Sequence, residues 1–210
     1  MSARDEIIAR IRASQTGQPP APPPPAHDYR RVWEADRATI VQRFVDRLAA
    51  YHVTVLHARG DGGIRDVATA QLAARGITRL VIPADMPASW RPADPAPIED
   101  TGLTCQDLDA AHGAMTGSLM GVAETGTVVL DCGLGQGRRA LTLLPDYHLC
   151  VVRESAVVGI LPEAIAALYP RALHGAPITF FSGPSATADI ELDRVEGVHG
   201  PRTLDVILVS

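Results

Sequence analysis

The chain has 210 residues, 46% of them hydrophobic but only 4% aromatic, and a formal net charge of −5. That suits one aliphatic core in a single domain with appendages, and the negative balance excludes a phosphate-binding nucleic-acid surface. All 19 basic residues are Arg, so Schiff-base and Lys general-base chemistry are excluded too.

Residues 2–14 predict a short amphipathic helix with Ile7, Ile8 and Ile11 on one stripe. Residues 17–26, GQPPAPPPPA, predict an extended polyproline spacer, a bare linker rather than a recognition motif. The chain therefore divides into an N-terminal helical arm (1–16), a Pro-rich linker (17–28) and an α/β domain (29–210). The arm's apolar stripe must be buried somewhere, on the same domain or on a neighbour.

Residues 37–51 read as helix, with Ile40, Val41, Phe44, Val45 and Leu48 at helical spacing. The β-branched run 52–57 reads as a strand, 64–75 as a helix closed by Gly76, and 78–83 as a second buried strand. Short strands alternating with helices imply βαβ units and a largely parallel sheet. The proline-rich stretch 84–99 lacks periodicity and reads as a surface loop. A helix ends over 107–111, and a strand of small side chains covers 112–116. Further strands at 128–131, 149–152, 178–181 and 204–209 complete the sheet, with a helix at 163–168.

No run approaches the roughly 18 apolar residues of a membrane span. Cys105, Cys132 and Cys150 are odd in number, widely spaced and without a CxxC pair, so buried free thiols are expected. With no recognisable secretory leader, a reduced, cytoplasmic setting is expected.

Three stretches concentrate chemistry-bearing residues. Glu124, Thr125, Gly126 and Thr127 form a turn before a buried strand, where a carboxylate and two hydroxyls would face a sheet-edge crevice. The bland alternative is a solvated turn. Residues 133–139, GLGQGRR, lack the G-x-G-x-x-G spacing of a dinucleotide fingerprint. With Arg138 and Arg139 they could form a flap that reaches an anion, or a solvated loop.

The third and densest stretch is 182–201, SGPSATADIELDRVEGVHGP. A strand, a Gly/Pro/Ser/Thr loop and a helix start make an anion-binding geometry. Ser182, Gly183, Ser185 and Thr187 are the contacts expected there, with Thr187 or Ser185 as cap and Asp189 and Glu191 in or near the first turn. His199, between Gly197 and a Gly-Pro turn, is the candidate for ligand contact or proton transfer. His148, beside a strand, reads as structural. The seven histidines show no H-x-x-x-H or HExxH pattern. A metal site would have to gather ligands from separate loops, such as His199 with Asp189 or Glu191, and none is expected.

Four blocks together, GVAETGT at 121–127, LLPDYH at 143–148, SGPSATADIE at 182–191 and GVHGP at 197–201, resemble the LUD-domain family in order and spacing. The resemblance covers roughly residues 37–210. It implies a three-layer α/β sheet with helices on both faces, similar to ribose-phosphate isomerases, glucosamine-phosphate deaminases and coenzyme A transferases. It also implies a part in oxidising L-lactate to pyruvate, as a subunit or accessory protein beside two iron–sulphur partner proteins of lactate utilisation.

The clusters would sit on those partners, since three scattered cysteines fall short of the roughly four thiolates a centre needs. No cofactor is expected on this chain itself. By the same resemblance many relatives carry Arg where this chain has Ala186, which would leave one anion contact missing or supplied by Arg138 or Arg139. The rival reading is a stand-alone enzyme on a phosphorylated or CoA-linked small molecule, with Glu124 as nucleophile or general base and His199 as acid. A third reading is a scaffold.

Overall fold

The computed structural model describes residues 2–15, 28–187, 195–196 and 200–210. In chain order these form α1 (Ala3–Gln15), α2 (Arg37–Ala50), β1 (Thr54–Ala58), α3 (Gly60–Ala74), β2 (Leu80–Pro83) and β3 (Ile98–Asp100). Next come α4 (Cys105–Asp109), β4 (Gly113–Gly117), β5 (Met120–Val122), β6 (Thr127–Leu130), β7 (Tyr147–Arg153) and β8 (Val157–Val158). The chain ends with α5 (Leu161–Leu173), β9 (Thr179–Phe181), β10 (Ala186–Thr187), β11 (Val195–Glu196) and β12 (Thr203–Val209).

Local chemistry sets the helix limits. Asp36 caps α2 by accepting from the Thr39 amide at 2.8 Å, and Thr104 and Asp107 close a reciprocal capping box on α4. At α5, Glu163 accepts from the backbone N–H groups of Gly159, Ile160 and Trp33. This pins the start of the helix to the segment that leads into α2. Burial opposes ionisation there, but the three N–H donors outweigh it and keep the Glu163 carboxyl below its ordinary value.

The main sheet is entirely parallel, in the order β1-β12-β7-β4-β2-β3. Its central pair, β7 and β12, runs in register over seven rungs from Thr203–Tyr147 to Val209–Arg153. These strands are apolar and buried along nearly their whole length, as strands covered on both faces must be. One face carries α3, whose Ile64, Ala68 and Leu72 pack on Leu80, Ile82, Met115, Leu149 and Ile207. On the other, Phe44 and Leu48 of α2 cover Cys150, Val152, Val206 and Leu208. Leu108 of α4 and Leu141 cover Val81 and Ala114. The fold is thus a three-layer α/β sandwich.

Two expectations need correction. The run 178–181 does not finish the main sheet. As β9 it pairs antiparallel with β6 in a second, four-stranded sheet ordered β8-β5-β6-β9, on which Ala164 and Leu168 of α5 pack. The physical reason is one-sided burial: Phe180 is exposed while its neighbours in β9 are half-buried, a pattern an antiparallel edge tolerates and a parallel interior strand does not. A helix does not begin at Ala186 either: Ala186 and Thr187 are a strand paired with Val195 and Glu196, while 188–191, where Asp189 and Glu191 were expected in a first turn, lie outside the described residues. The Ser185 amide, which a helix N-terminus would have offered to an anion, donates instead to the Pro201 carbonyl at 2.8 Å.

Smaller differences follow the same logic. The stretch 84–99 runs into a three-residue edge strand, β3, where proline is admissible. Helix α5 extends on both sides of 163–168 and contains Pro170. Of the three cysteines only Cys150 is buried; Cys105 is exposed and Cys132 half-buried. Among the described residues, no helix is long and apolar enough to cross a membrane.

Candidate functional site

At the amino ends of β7 and β12 the parallel sheet and the second sheet separate, leaving a cleft of about 200 Å³. His148 and Leu204, partners on one rung, form its floor. Arg139 and Thr142 enter from the short 3₁₀ turn Arg139–Thr142, and β9 contributes Thr179, Phe180 and Phe181. Gly183, Ser185, Gly200 and Pro201 close the remaining side. The result is one guanidinium and several hydroxyls facing an aromatic and aliphatic wall.

Burial and Arg139 govern the electrostatics. His148 is fully enclosed, and the loss of solvent, reinforced by the nearby Arg139 charge, pushes its pKa down to about 3. The ring is therefore neutral at physiological pH, with Nε2 2.8 Å from Thr116 Oγ1. It also lies 5.5 Å from the Phe181 ring, centre to centre. On the same strand, burial pushes the Cys150 thiol up to about 12, partly offset by Thr116, so it is no nucleophile. Arg139 donates to Thr142 Oγ1 at 2.9 Å, its one hydrogen-bond partner among the described residues.

The glycine-rich loop delivers Arg139. It is packed rather than free, so it is neither the mobile flap nor the solvated loop that its composition left open. The Gln136 side chain is buried, accepting from the Asp131 amide and donating to Asp131 Oδ1, both at 2.8 Å. Asp131 is also paired with Arg171 of α5. The two arginines at the end of the loop part company. Arg138 turns to Asp100, with Nε 2.7 Å from Oδ2 and a second nitrogen 3.0 Å from Oδ1. That hydrogen bonding holds the Asp100 carboxyl below its ordinary value. Arg139 alone reaches the cleft.

Of the other residues singled out in the sequence, Gly183 and Ser185 line the cleft. Thr125, Thr127 and Ser182 form a hydroxyl chain beside it, with Oγ separations of 2.7 and 2.6 Å. Gly126 has φ +63°, and a Cβ there would lie 2.7 Å from that of Arg47. Glycine is needed at that position for close packing on α2. Glu124 stands apart from the cleft lining. Its carboxylate is half-exposed and paired with Arg30, which lies over the Trp33 ring. The Thr187 side chain, Asp189, Glu191 and His199 fall outside the described residues. Among the described residues, no group of three or more His, Cys, Asp or Glu side chains could hold a metal ion.

Sequence reasoning passed over His148 as structural and missed Thr142 and Thr179. The available signal was a lone imidazole at an inward-facing position of a largely apolar strand, at the end of the LLPDYH block.

The family model for the LUD domain matches residues 93–209, a span that contains every residue lining the cleft. Over 209 residues the chain is 39% identical to lactate utilization protein C of Deinococcus radiodurans, covering 99% of this chain and 96% of that protein. The protein of the same name from Geobacillus thermodenitrificans is 34% identical over 160 residues, 67% of this chain and 66% of its own length. Among solved structures, the crystal structure of a DUF162 family protein from Deinococcus radiodurans superposes with a TM-score of 0.73 at 34% identity. That match covers 84% of this chain and 99% of the solved one.

Proposed function

The chain belongs to the LUD-domain family, and from that premise we propose that it is a component of an iron–sulphur system that oxidises L-lactate to pyruvate in the cytoplasm. In this reading the clusters reside on two partner proteins, and the chain binds a small anionic ligand in the cleft at the amino ends of β7 and β12. The observation that carries it is the similarity to a lactate utilization protein C along 96% of that protein's length.

The cleft is suited to such a ligand. Arg139 supplies one fixed positive charge, oriented by Thr142, and a planar guanidinium matches a carboxylate in two parallel hydrogen bonds. His148, held neutral, adds no second charge, so the site suits a monoanion better than a phosphate dianion. Phe180, Phe181 and Leu204 offer an apolar wall to the remainder of a small molecule.

The test is co-purification with any cysteine-rich iron–sulphur proteins found to be encoded beside this chain, followed by lactate-dependent dye reduction with and without it. Stable association and a loss of reduction when the chain is left out are expected. Full reduction by the partners alone would overturn the reading.

A further inference from the structure

Helix α5 is apolar on both faces. Ala164 and Leu168 pack on the second sheet, while Leu161, Ile165 and Tyr169 form a stripe at four-residue spacing on the outer side. That outer stripe, with Tyr29 and Val32, walls a groove of about 660 Å³. Ile165 is 49% exposed and Tyr169 61%. A helix without a polar face is normally covered, and a contiguous apolar patch of this kind marks an interaction surface. The chain carries a second uncovered stripe, on α1, where Ile7 is 58% and Ile11 52% exposed.

We infer that the two stripes cover each other between copies: α1 of one chain docks in the α5 groove of a second, and reciprocally, in a twofold arm-exchanged dimer. The dimensions agree, since α1 and α5 have 13 residues each, about 20 Å of helix. The connection decides between the chain's own groove and its neighbour's. Residues 16–27 join α1 to a body whose first groove side chain is Tyr29, so the arm is tethered at the rim of the groove itself. Six prolines within residues 19–25 favour an extended chain of about 3.1 Å per residue. Fully extended, a spacer of 12 such residues would span roughly 37 Å, longer than α1 itself and enough to carry it past its own rim to the groove of a second chain. A closed pair satisfies both arms at once and doubles the contact towards the ~1,600 Å² of stable interfaces.

The test uses the full-length chain. Light scattering behind size exclusion is expected to give twice the mass of one chain. An arm variant, Ile7→Asp with Ile11→Asp, and a groove variant, Ile165→Asp with Tyr169→Asp, should each halve the mass. Both pairs are solvent-exposed, and an unchanged melting temperature confirms folding. If the groove variant unfolds, Ile165→Ser alone takes its place. Mixing arm and groove variants in equal amounts leaves one intact arm facing one intact groove in each mixed pair, and most of the material should recover the dimeric mass at high concentration. A monomeric full-length chain, a dimer indifferent to both variants, or a mixture that stays monomeric would each overturn the exchange. So would a monomer in which a label on α1 is quenched by its own groove.

Discussion

Tyr147 and His148 are consecutive on β7 and face opposite sides of the parallel sheet, and the two sides treat their polar groups differently. On the α3 side the Tyr147 hydroxyl donates to Asp205 Oδ2 at 2.9 Å. Asp205 is completely buried and also accepts from Gln71 at 2.6 Å and from Arg75 at 2.8 and 2.7 Å. Burial and the neighbouring Asp205 charge together push the Tyr147 pKa upward. On the other side His148 has one partner among the described residues, Thr116, and Arg139 has one, Thr142. A closed network spends its hydrogen-bonding capacity on the fold. An open one, facing a cleft, keeps capacity for a ligand.

The closed side should dominate stability. Asp205→Ala strands the buried Tyr147 hydroxyl, takes a partner from the half-buried Gln71 and frees Arg75, so a loss of about 3 kcal/mol is expected, the lower end for a broken buried pair because Arg75 is partly solvated. For a chain of this length that is roughly a 10 °C fall in melting temperature. A fall below about 3 °C would mean the network is not what holds β12 to α3.

The open side should show itself in acid. The folded His148 pKa of about 3 lies below the ordinary 6.5, so between those values the unfolded chain binds a proton that the fold refuses. Stability is then complete above pH 6.5 and falls with acidification, by up to about 1.4 kcal/mol per pH unit. Between pH 6.5 and 4.5, above the main carboxylate range, His148→Gln should flatten this slope in urea titrations while an amide preserves a partner for Thr116. An unchanged slope would show that the ring is not enclosed.

How much of this was legible in the sequence follows from periodicity. Phe44 and Leu48 announced α2, and the apolar runs announced the parallel strands, because burial on one stripe or on both faces leaves a pattern along the chain. The second sheet left almost none. β5 and β9 are three residues each, shorter than any window that reads alternation. The cleft was half legible. Gly183 and Ser185 stand in a conspicuous block, but Arg139 and Arg138 are identical in sequence. Only Asp100, nearly forty positions away, decides which of the two is left for the cleft. That the Ser185 amide is not offered to an anion was hidden for a similar reason, since the Pro201 carbonyl that takes it is remote in the chain.

Arg139 sharpens the contrast on the binding side. It is exposed and, among the described residues, its side chain is tethered to Thr142 alone, so Arg139→Gln should move the melting temperature by less than about 2 °C. A charge-assisted contact of about 1.5–3 kcal/mol corresponds to a 10- to 100-fold loss of affinity for a small carboxylate, measurable by calorimetry. The same substitution removes a positive charge near His148, and its acid sensitivity should weaken slightly. Arg138→Gln should do the reverse, costing stability through Asp100 and leaving binding intact. Equal binding losses in both variants would place the anion elsewhere.

The smallest expected effect belongs to Glu124, which tests whether the contrast has been drawn in the right place. Its pair with Arg30 joins two side chains 45% and 55% exposed, so solvent screens it and the interaction is worth roughly 0–1 kcal/mol. Glu124→Gln keeps the backbone bond from residue 124 to the Gly159 carbonyl, so the turn should hold its shape. The small stability difference should vanish in about 1 M salt, where the Debye length shrinks to ~3 Å. Lactate-dependent growth should survive, because the carboxylate stands outside the cleft lining and its charged partner among the described residues is Arg30. Growth lost at normal expression and unchanged melting temperature would have a different meaning. The chemistry would then run at the open turn between β5 and β6, with the cleft under Arg139 reduced to an accessory pocket.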